Sequence, residues 1–301
     1  MADEEKRMPN GVLTGKVVVV TGAGAGLGRA YAEHAADAGA TVIVNDVNAE
    51  GAETTAESIR KAGGAAHTSS HSVSDADAVE ELFDWIESDL GPLTGLVNNA
   101  GIGYGAYPWE EDPARMQRAV SVNVLGTLLC GAKALALMTP RGSGSVVNIG
   151  SGVSLGVTGR ATYAACKGAV ASATYAWALD CADTGVRVNS VSPIAVTGMT
   201  PQGFTGPGGS ALNDDPNRVA PLVTWLLSDL SVPMTGQTLR FDGRSLRIIT
   251  HPRLGEPELV RPQWTVGSFV SAFEETFSDR LEDIGWERRP SPRPGAPVVR
   301  P

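Results

Sequence analysis

Short apolar runs alternate with longer amphipathic stretches along most of this chain. Seven runs read as strands, most of them apolar on both faces: Val17–Thr21, Thr41–Asn45, Ala65–Thr68, Gly95–Asn98, Ser145–Ile149, Arg187–Val191 and Gln237–Phe241. Strands with no polar face are expected in a parallel sheet covered on both sides by helices. Helical stretches fall between them, at about 27–38, 49–62, 76–90, 113–138 and 162–183. Gly39 stands where the first would need a C-cap, and Asp215-Pro216 offers an N-cap and a first-turn proline to a later helix. The alternation predicts a doubly wound, three-layer α/β domain over residues 14–249.

Three stretches break the rhythm. Residues 1–13 read as a mobile leader. Residues 194–213, rich in Gly, Pro, Thr and Ser, would leave the carboxyl end of a strand, where ligands bind, and read as a substrate lid. After Gly243 the alternation stops, and 250–301 reads as an extension with one helix around Val266–Leu281. Phe269, Phe273 and Phe277 recur every four residues there, a stripe that needs burial. From about residue 289 the chain is too Pro-rich to pack and is expected to be disordered.

Bulk properties narrow the function. A chain of 301 residues with 42% hydrophobic side chains suits one large α/β domain or two small ones. The net charge of -9, with no Lys/Arg cluster, argues against nucleic acid. No run approaches the 18 apolar residues of a membrane span, and the N-terminus lacks an apolar signal core. Three widely spaced cysteines, Cys130, Cys166 and Cys181, read as reduced thiols of a cytoplasmic protein. His34, His67, His71 and His251 are scattered without metal-ligand spacing, so no metal is expected.

Two spaced signals carry the chemistry. T21-G-A-G-A-G-L-G28 follows an apolar strand and opens a helix. Gly22 permits the turn, Gly26 lets backbone approach a pyrophosphate, and Gly28 allows close helix packing; with Leu27 they are read as cofactor-binding. Asp46 ends the second strand, where a carboxylate accepts ribose hydroxyls and repels a 2′-phosphate. That favours NAD over NADP, although Arg29 near the turn could meet a phosphate. Downstream, Tyr163 and Lys167 sit four apart, on one face of a helix. A tyrosine working near neutral pH needs a nearby cation to favour its phenolate, and Lys167 can supply one. Ser151 follows the fifth strand and could hold a substrate oxygen; Ser154 stays open as the alternative.

With these pieces placed, the chain resembles the short-chain dehydrogenase/reductase family over about residues 13–243. The motifs are TGAGAGLG at 21–28, NNAG at 98–101, Asn123 in V-N-V, Ser151 in I-G-S, Y-A-A-C-K at 163–167 and R187-V-N-S-V-S-P193. The resemblance implies a single Rossmann domain and a catalytic tetrad of Asn123, Ser151, Tyr163 and Lys167. In it, Asn123 holds a relay water and Lys167 also binds the nicotinamide ribose, with Tyr163 beside it. It implies that Asn99, Ala100 and Gly101 line the adenosine side, and that Pro193, Val196 and Thr197 lie by the nicotinamide. Ser72-Val73 stands where the family often has Asp-Val against adenine, and Ile194 where it has glycine. The resemblance also implies a small-molecule substrate and a homo-oligomer, tetramer before dimer. Within the family, V44-N-D46 and the segment 215–229 are similar to members acting on 3-hydroxyacyl-CoA thioesters or sterol-derived alcohols. An NADP-linked 3-oxoacyl reductase and a non-catalytic dinucleotide sensor remain as alternatives.

Overall fold

A computed structural model of the chain describes residues 11–195 and 215–291. Strands β1 (Val17–Thr21), β2 (Thr41–Asn45), β3 (Ala65–Ser69), β4 (Gly95–Asn98), β5 (Gly144–Ile149), β6 (Val186–Pro193) and β7 (Thr238–Phe241) form a parallel sheet in the order β3-β2-β1-β4-β5-β6-β7. The helices between them are α1 (Gly26–Asp37), α2 (Ala49–Lys61), α3 (Ala76–Trp85), α4 (Pro113–Val120), α5 (Gly126–Met138), α6 (Ala161–Asp180) and α7 (Ala220–Leu227). Successive side chains of a strand point to opposite faces. Accordingly Val18 and Val20 pack with Tyr31, Ala56 and Leu226 of α1, α2 and α7, while Val17 and Val19 pack with Phe83, Met138 and Ala178 of α3, α5 and α6. Both helix layers are thus sealed by one set of valines, the doubly wound sandwich the pattern predicts.

Helix ends follow the local rules. Asn48, Asp75 and Asp112 each accept a backbone N–H at the start of α2, α3 and α4. Gly39, at φ +99°, follows α1 in the left-handed region. Asp215 accepts the N–H of Asn217 in the short turn before α7. Helices α4 and α5 are one continuous run, joined by a wider π-helical turn at Ser121–Leu125. That run, to Arg141, is long and apolar enough to cross a membrane by length and composition. Its apolarity has a local use, because Cys130, Ala134 and Met138 are buried against the sheet.

The topology also positions a site. β1 has β2 on one side and β4 on the other, so the chain reverses direction across the sheet there. Loops leaving the carboxyl ends of β1 and β4 diverge at such a point and open a crevice.

Three expectations change. The alternation does not end at Gly243, because β8 (Leu246–Ile249) folds back antiparallel on β7. Asp242 turns the chain by accepting the N–H groups of Arg244 and Ser245 at 2.8 and 2.6 Å; Asp-Gly is a hairpin signal. Farther on, α8 (Val266–Ala272) continues through irregular turns to Arg280. Its Phe stripe is not buried within the chain: Phe269 is 52% and Phe273 45% exposed. The expected leader 1–13 is too long, because Leu13 is buried and bonded to Ala38; its residues 1–10 lie outside the described residues. The expected tail disorder also falls largely outside them.

Candidate active site

The turn after β1 is shaped by contacts that exclude side chains. Gly22 and Gly26 have φ of +64° and +56°. A Cβ on Gly22 would lie 2.8 Å from Ala100 Cα, and one on Gly28 would collide with the Gly22 carbonyl and lie 2.5 Å from Asn99 Nδ2. Asn99 fixes this approach by donating to the carbonyls of Thr21 and Gly22 at 2.9 and 3.0 Å. The N–H groups of Asn99 and Ala100 both reach Thr21 Oγ1 at 3.0 Å. The loops leaving β1 and β4 are thereby stitched together.

Helix α1 begins at Gly26 with no side-chain cap and no acidic residue in its first turn. The first-turn N–H groups and the positive end of the helix dipole therefore have no side-chain cap, which suits a phosphate. Asp46, at the end of β2, accepts the Gly24 N–H at 2.9 Å and the Asn48 N–H at 2.9 Å. Its carboxylate thereby ties the end of β2 to the glycine turn. Arg29 is paired with Glu33 at 2.9 Å, which draws it along α1. These residues fit a dinucleotide. Ser72 hydrogen-bonds Ser74 at 3.0 Å, and Val73 is buried against Gly126.

The catalytic candidates converge on the next crevice. Ser151 follows β5; its Oγ accepts the Val153 N–H at 3.2 Å and lies near enough to the Tyr163 hydroxyl to pull its pKa down. Ser154 instead donates to the Ser151 carbonyl at 2.8 Å, within its own turn. Of the two serines, only Ser151 thus acts on Tyr163. Lys167 is 5% exposed, donates to Ile149 O at 2.6 Å, and lies 5.8 Å from the centroid of the Tyr163 ring. Gly103 passes the other side of that ring, where a Cβ would touch Cε2 at 3.4 Å. Asn123, in the π-helical turn, donates to Ile102 O and Ala119 O at 2.8 and 2.9 Å and accepts the Ile102 N–H at 3.1 Å. Those bonds anchor the loop after β4 to the π-helical turn. Gly101 is tight against it, with a Cβ position 2.6 Å from Asn123 Oδ1.

Burial dominates the electrostatics. It pushes the Tyr163 phenol above its ordinary range, while the charge of Arg160 and the Ser151 hydroxyl pull the other way. The net direction is upward, so the nearby cations do not make a phenolate at neutral pH here. Burial lowers the Lys167 ammonium to about 8. The Cys166 thiol is pushed up by burial despite Lys167 beside it, which makes it a poor nucleophile.

Pro193 ends β6, and Ile194 bonds to Phe241 O at 2.9 Å. Val196, Thr197 and most of the expected lid lie outside the described residues. Several residues have positions that the sequence reading passes over. Asn98 donates to Asn148, and Asn148 to Thr174, each at 2.9 Å. This buried chain ties β4 and β5 to the helix that carries Tyr163. Arg187 is spent on Leu226 O, Ser228 O and Ser231, locking β6 to the end of α7. The asparagine pair is visible in N-N-A-G and V-V-N, but its partner in α6 has no sequence signal.

Known proteins can now be set beside this geometry. The family model of the short chain dehydrogenases matches residues 16–204. 2-(S)-Hydroxypropyl-CoM dehydrogenase 3 of Xanthobacter autotrophicus is 36% identical over 253 residues, 77% of this chain and 96% of its own. Gluconate 5-dehydrogenase of Burkholderia cenocepacia, solved with NADP and tartrate, superposes with a TM-score of 0.72 at 31% identity, over 78% of this chain and 96% of its own. A short chain dehydrogenase of Mycobacterium avium superposes with a TM-score of 0.78 at 30% identity, over 88% of this chain and 95% of its own. With a family model over more than half its length and relatives matched across nearly all of theirs, this chain belongs to the short-chain dehydrogenase family.

Proposed function

We propose that the protein is an NAD-dependent dehydrogenase of a secondary alcohol, of the hydroxyacyl-CoA or hydroxysteroid type. The observation that carries the reading is Tyr163 set between Ser151, which lowers its pKa, and the buried Lys167, 5.8 Å from its ring centroid, on the same sheet edge as an uncapped helix start. Bound nicotinamide supplies the hydride acceptor. Ser151 holds the carbinol oxygen, and Tyr163 takes its proton as alcohol becomes ketone. In reduction, the buried phenol gives that proton back. Lys167 stabilises the phenolate form, and its charge at a pKa of about 8 makes that help pH-dependent. Asp46 supports NAD, because its charge would repel a 2′-phosphate. Relatives that are dehydrogenases of hydroxypropyl-CoM and gluconate support the alcohol class.

A second reading, an NADP-linked 3-oxoacyl reductase, draws on the NADP bound to the gluconate dehydrogenase. A pure sensor has no use for the Ser151, Tyr163 and Lys167 group. The exposed apolar residues of the α4–α5 run, Val120, Leu125 and Leu128, support a homo-oligomer. The experiment is NADH appearance with 3-hydroxybutyryl-CoA, a 3β-hydroxysteroid and gluconate, each with NAD and with NADP. Turnover with NAD is expected; turnover with NADP alone would contradict the reading.

A further inference from the structure

The turn that carries Ser151 is held from a distant part of the chain. It runs through Gly152–Leu155 and closes at Gly156. Gly156 O accepts the Trp286 N–H at 2.8 Å. Gly285, at φ +70°, lies so close that a Cβ would sit 3.0 Å from the same carbonyl. The other end of the turn is held by Arg240 of β7. Its guanidinium lies 4.3 Å over the Trp286 ring and donates to Ser192 Oγ at 3.4 Å. A Cβ on Gly152 would collide with Arg240 Nη1 and lie 3.2 Å from Trp286 Cζ3. Among the described residues no carboxylate comes within salt-bridge distance of Arg240, although the charge of Asp242 acts on it, and the indole face covers its guanidinium. The Trp286 segment is itself closed by Ile284 and Arg289, whose main chains exchange hydrogen bonds of 2.7 and 3.0 Å.

We propose that Trp286 is a positioning residue of the active site: with Arg240 it clamps the turn that carries Ser151, so the C-terminal extension completes the site. The inference rests on the roles given above to Ser151 and Tyr163. Ser151 has one backbone N–H to steady its hydroxyl, from Val153 inside the same turn. If the turn shifts, Ser151 shifts with it relative to Tyr163. Displacements of about 1 Å can cost up to about 100-fold in rate. The extension therefore acts on kcat through Ser151, while the dinucleotide cradle, built on β1, β2 and β4, does not depend on it.

The test compares wild type, Trp286→Ala, Trp286→Phe, a chain ending at Leu281 and Tyr163→Phe, on 3-hydroxybutyryl-CoA or the 3β-hydroxysteroid, whichever is turned over faster. Trp286→Ala and the shortened chain are expected to lose about tenfold or more in kcat, with NADH affinity within about twofold. The acid limb of alcohol oxidation should move to higher pH, since the Ser151 hydroxyl that lowers the Tyr163 pKa is displaced. Trp286→Phe keeps a ring over Arg240 and should recover most of the rate. Hydrogen exchange, which needs no substrate, should quicken at 151–157 in Trp286→Ala and stay unchanged in α1. Unchanged kcat with unchanged exchange at 151–157 would overturn the proposal, as would faster exchange throughout the domain. Should Tyr163→Phe keep wild-type turnover, or no substrate react, the functional reading fails, and exchange at 151–157 alone decides the clamp.

Discussion

The turn after β1 and the turn after β5 are both glycine-containing loops at carboxyl ends of the same sheet, and they are held by opposite means. The first is locked from within. Thr21, Asn99 and Asp46 all sit at strand ends beside it, and each is part of a motif. The second is held from the far end of the chain, by Arg240 and Trp286. A phosphate cradle demands fixed backbone geometry, so few residues serve there. A turn that has only to be kept still accepts any planar or packed partner.

The largest effect on cofactor binding is expected where the first turn is broken. Gly28→Val puts a side chain into the Gly22 carbonyl and Asn99. Overpacking of this kind costs about 1–3 kcal/mol or more, and here it also distorts the uncapped helix start. NADH fluorescence titration should find at least about a 100-fold loss of affinity, equal to about 2.7 kcal/mol. A Kd close to wild type would show that the glycine contact is not what shapes the cradle.

Asp46→Ala should act more narrowly. It removes the charge beside the glycine turn and the acceptor for the Gly24 N–H. The ratio of kcat/KM for NAD over NADP should fall about tenfold, about 1.4 kcal/mol, chiefly by improvement with NADP. If wild type already prefers NADP, the role given to Asp46 is refuted.

The smallest effect contrasts the charges of the two regions. Lys167 is buried with one hydrogen bond, to Ile149 O. Its folded pKa is about 8 against 10.5 for the free side chain. Below about 8 both folded and unfolded states carry the proton, and the folded state bears the full cost of the buried charge. Between about 8 and 10.5 the unfolded state binds more protons, so wild type gains stability as pH rises. The Tm of Lys167→Met relative to wild type should therefore be most favourable near neutral pH and decline towards pH 10.5. A difference flat across that range would mean that the ammonium is not buried as described.

Much of the sheet and the cofactor turn was legible because periodicity and glycine geometry are local signals. Val17–Val20 could only be a buried strand, and Gly22 to Gly28 could only bend one way. Tyr163 and Lys167 were legible by spacing. The sequence favours Ser151 over Ser154 because it abuts the strand, and the Ser154 hydroxyl turns back onto the Ser151 carbonyl. Strand β8 was missed although Asp242-Gly243 marks its hairpin, because Leu246–Ile249 carries an arginine and is exposed at the sheet edge. Trp286 was missed for a deeper reason. An aromatic side chain in a Pro- and Gly-rich tail has no periodicity, and its partner Arg240 lies on another element. The Phe stripe was legible as a stripe, but its exposure in the single chain was not.

The central claim is that Tyr163 carries the proton in a nicotinamide-dependent alcohol oxidation. Tyr163→Phe tests it most directly, with turnover and NADH binding measured on the same preparation. The ring and its contact with Gly103 remain, and only the hydroxyl beside Ser151 is lost. The account predicts a fall in kcat of about 10²–10⁴-fold with NADH affinity within about twofold of wild type. Turnover near the wild-type rate would contradict it.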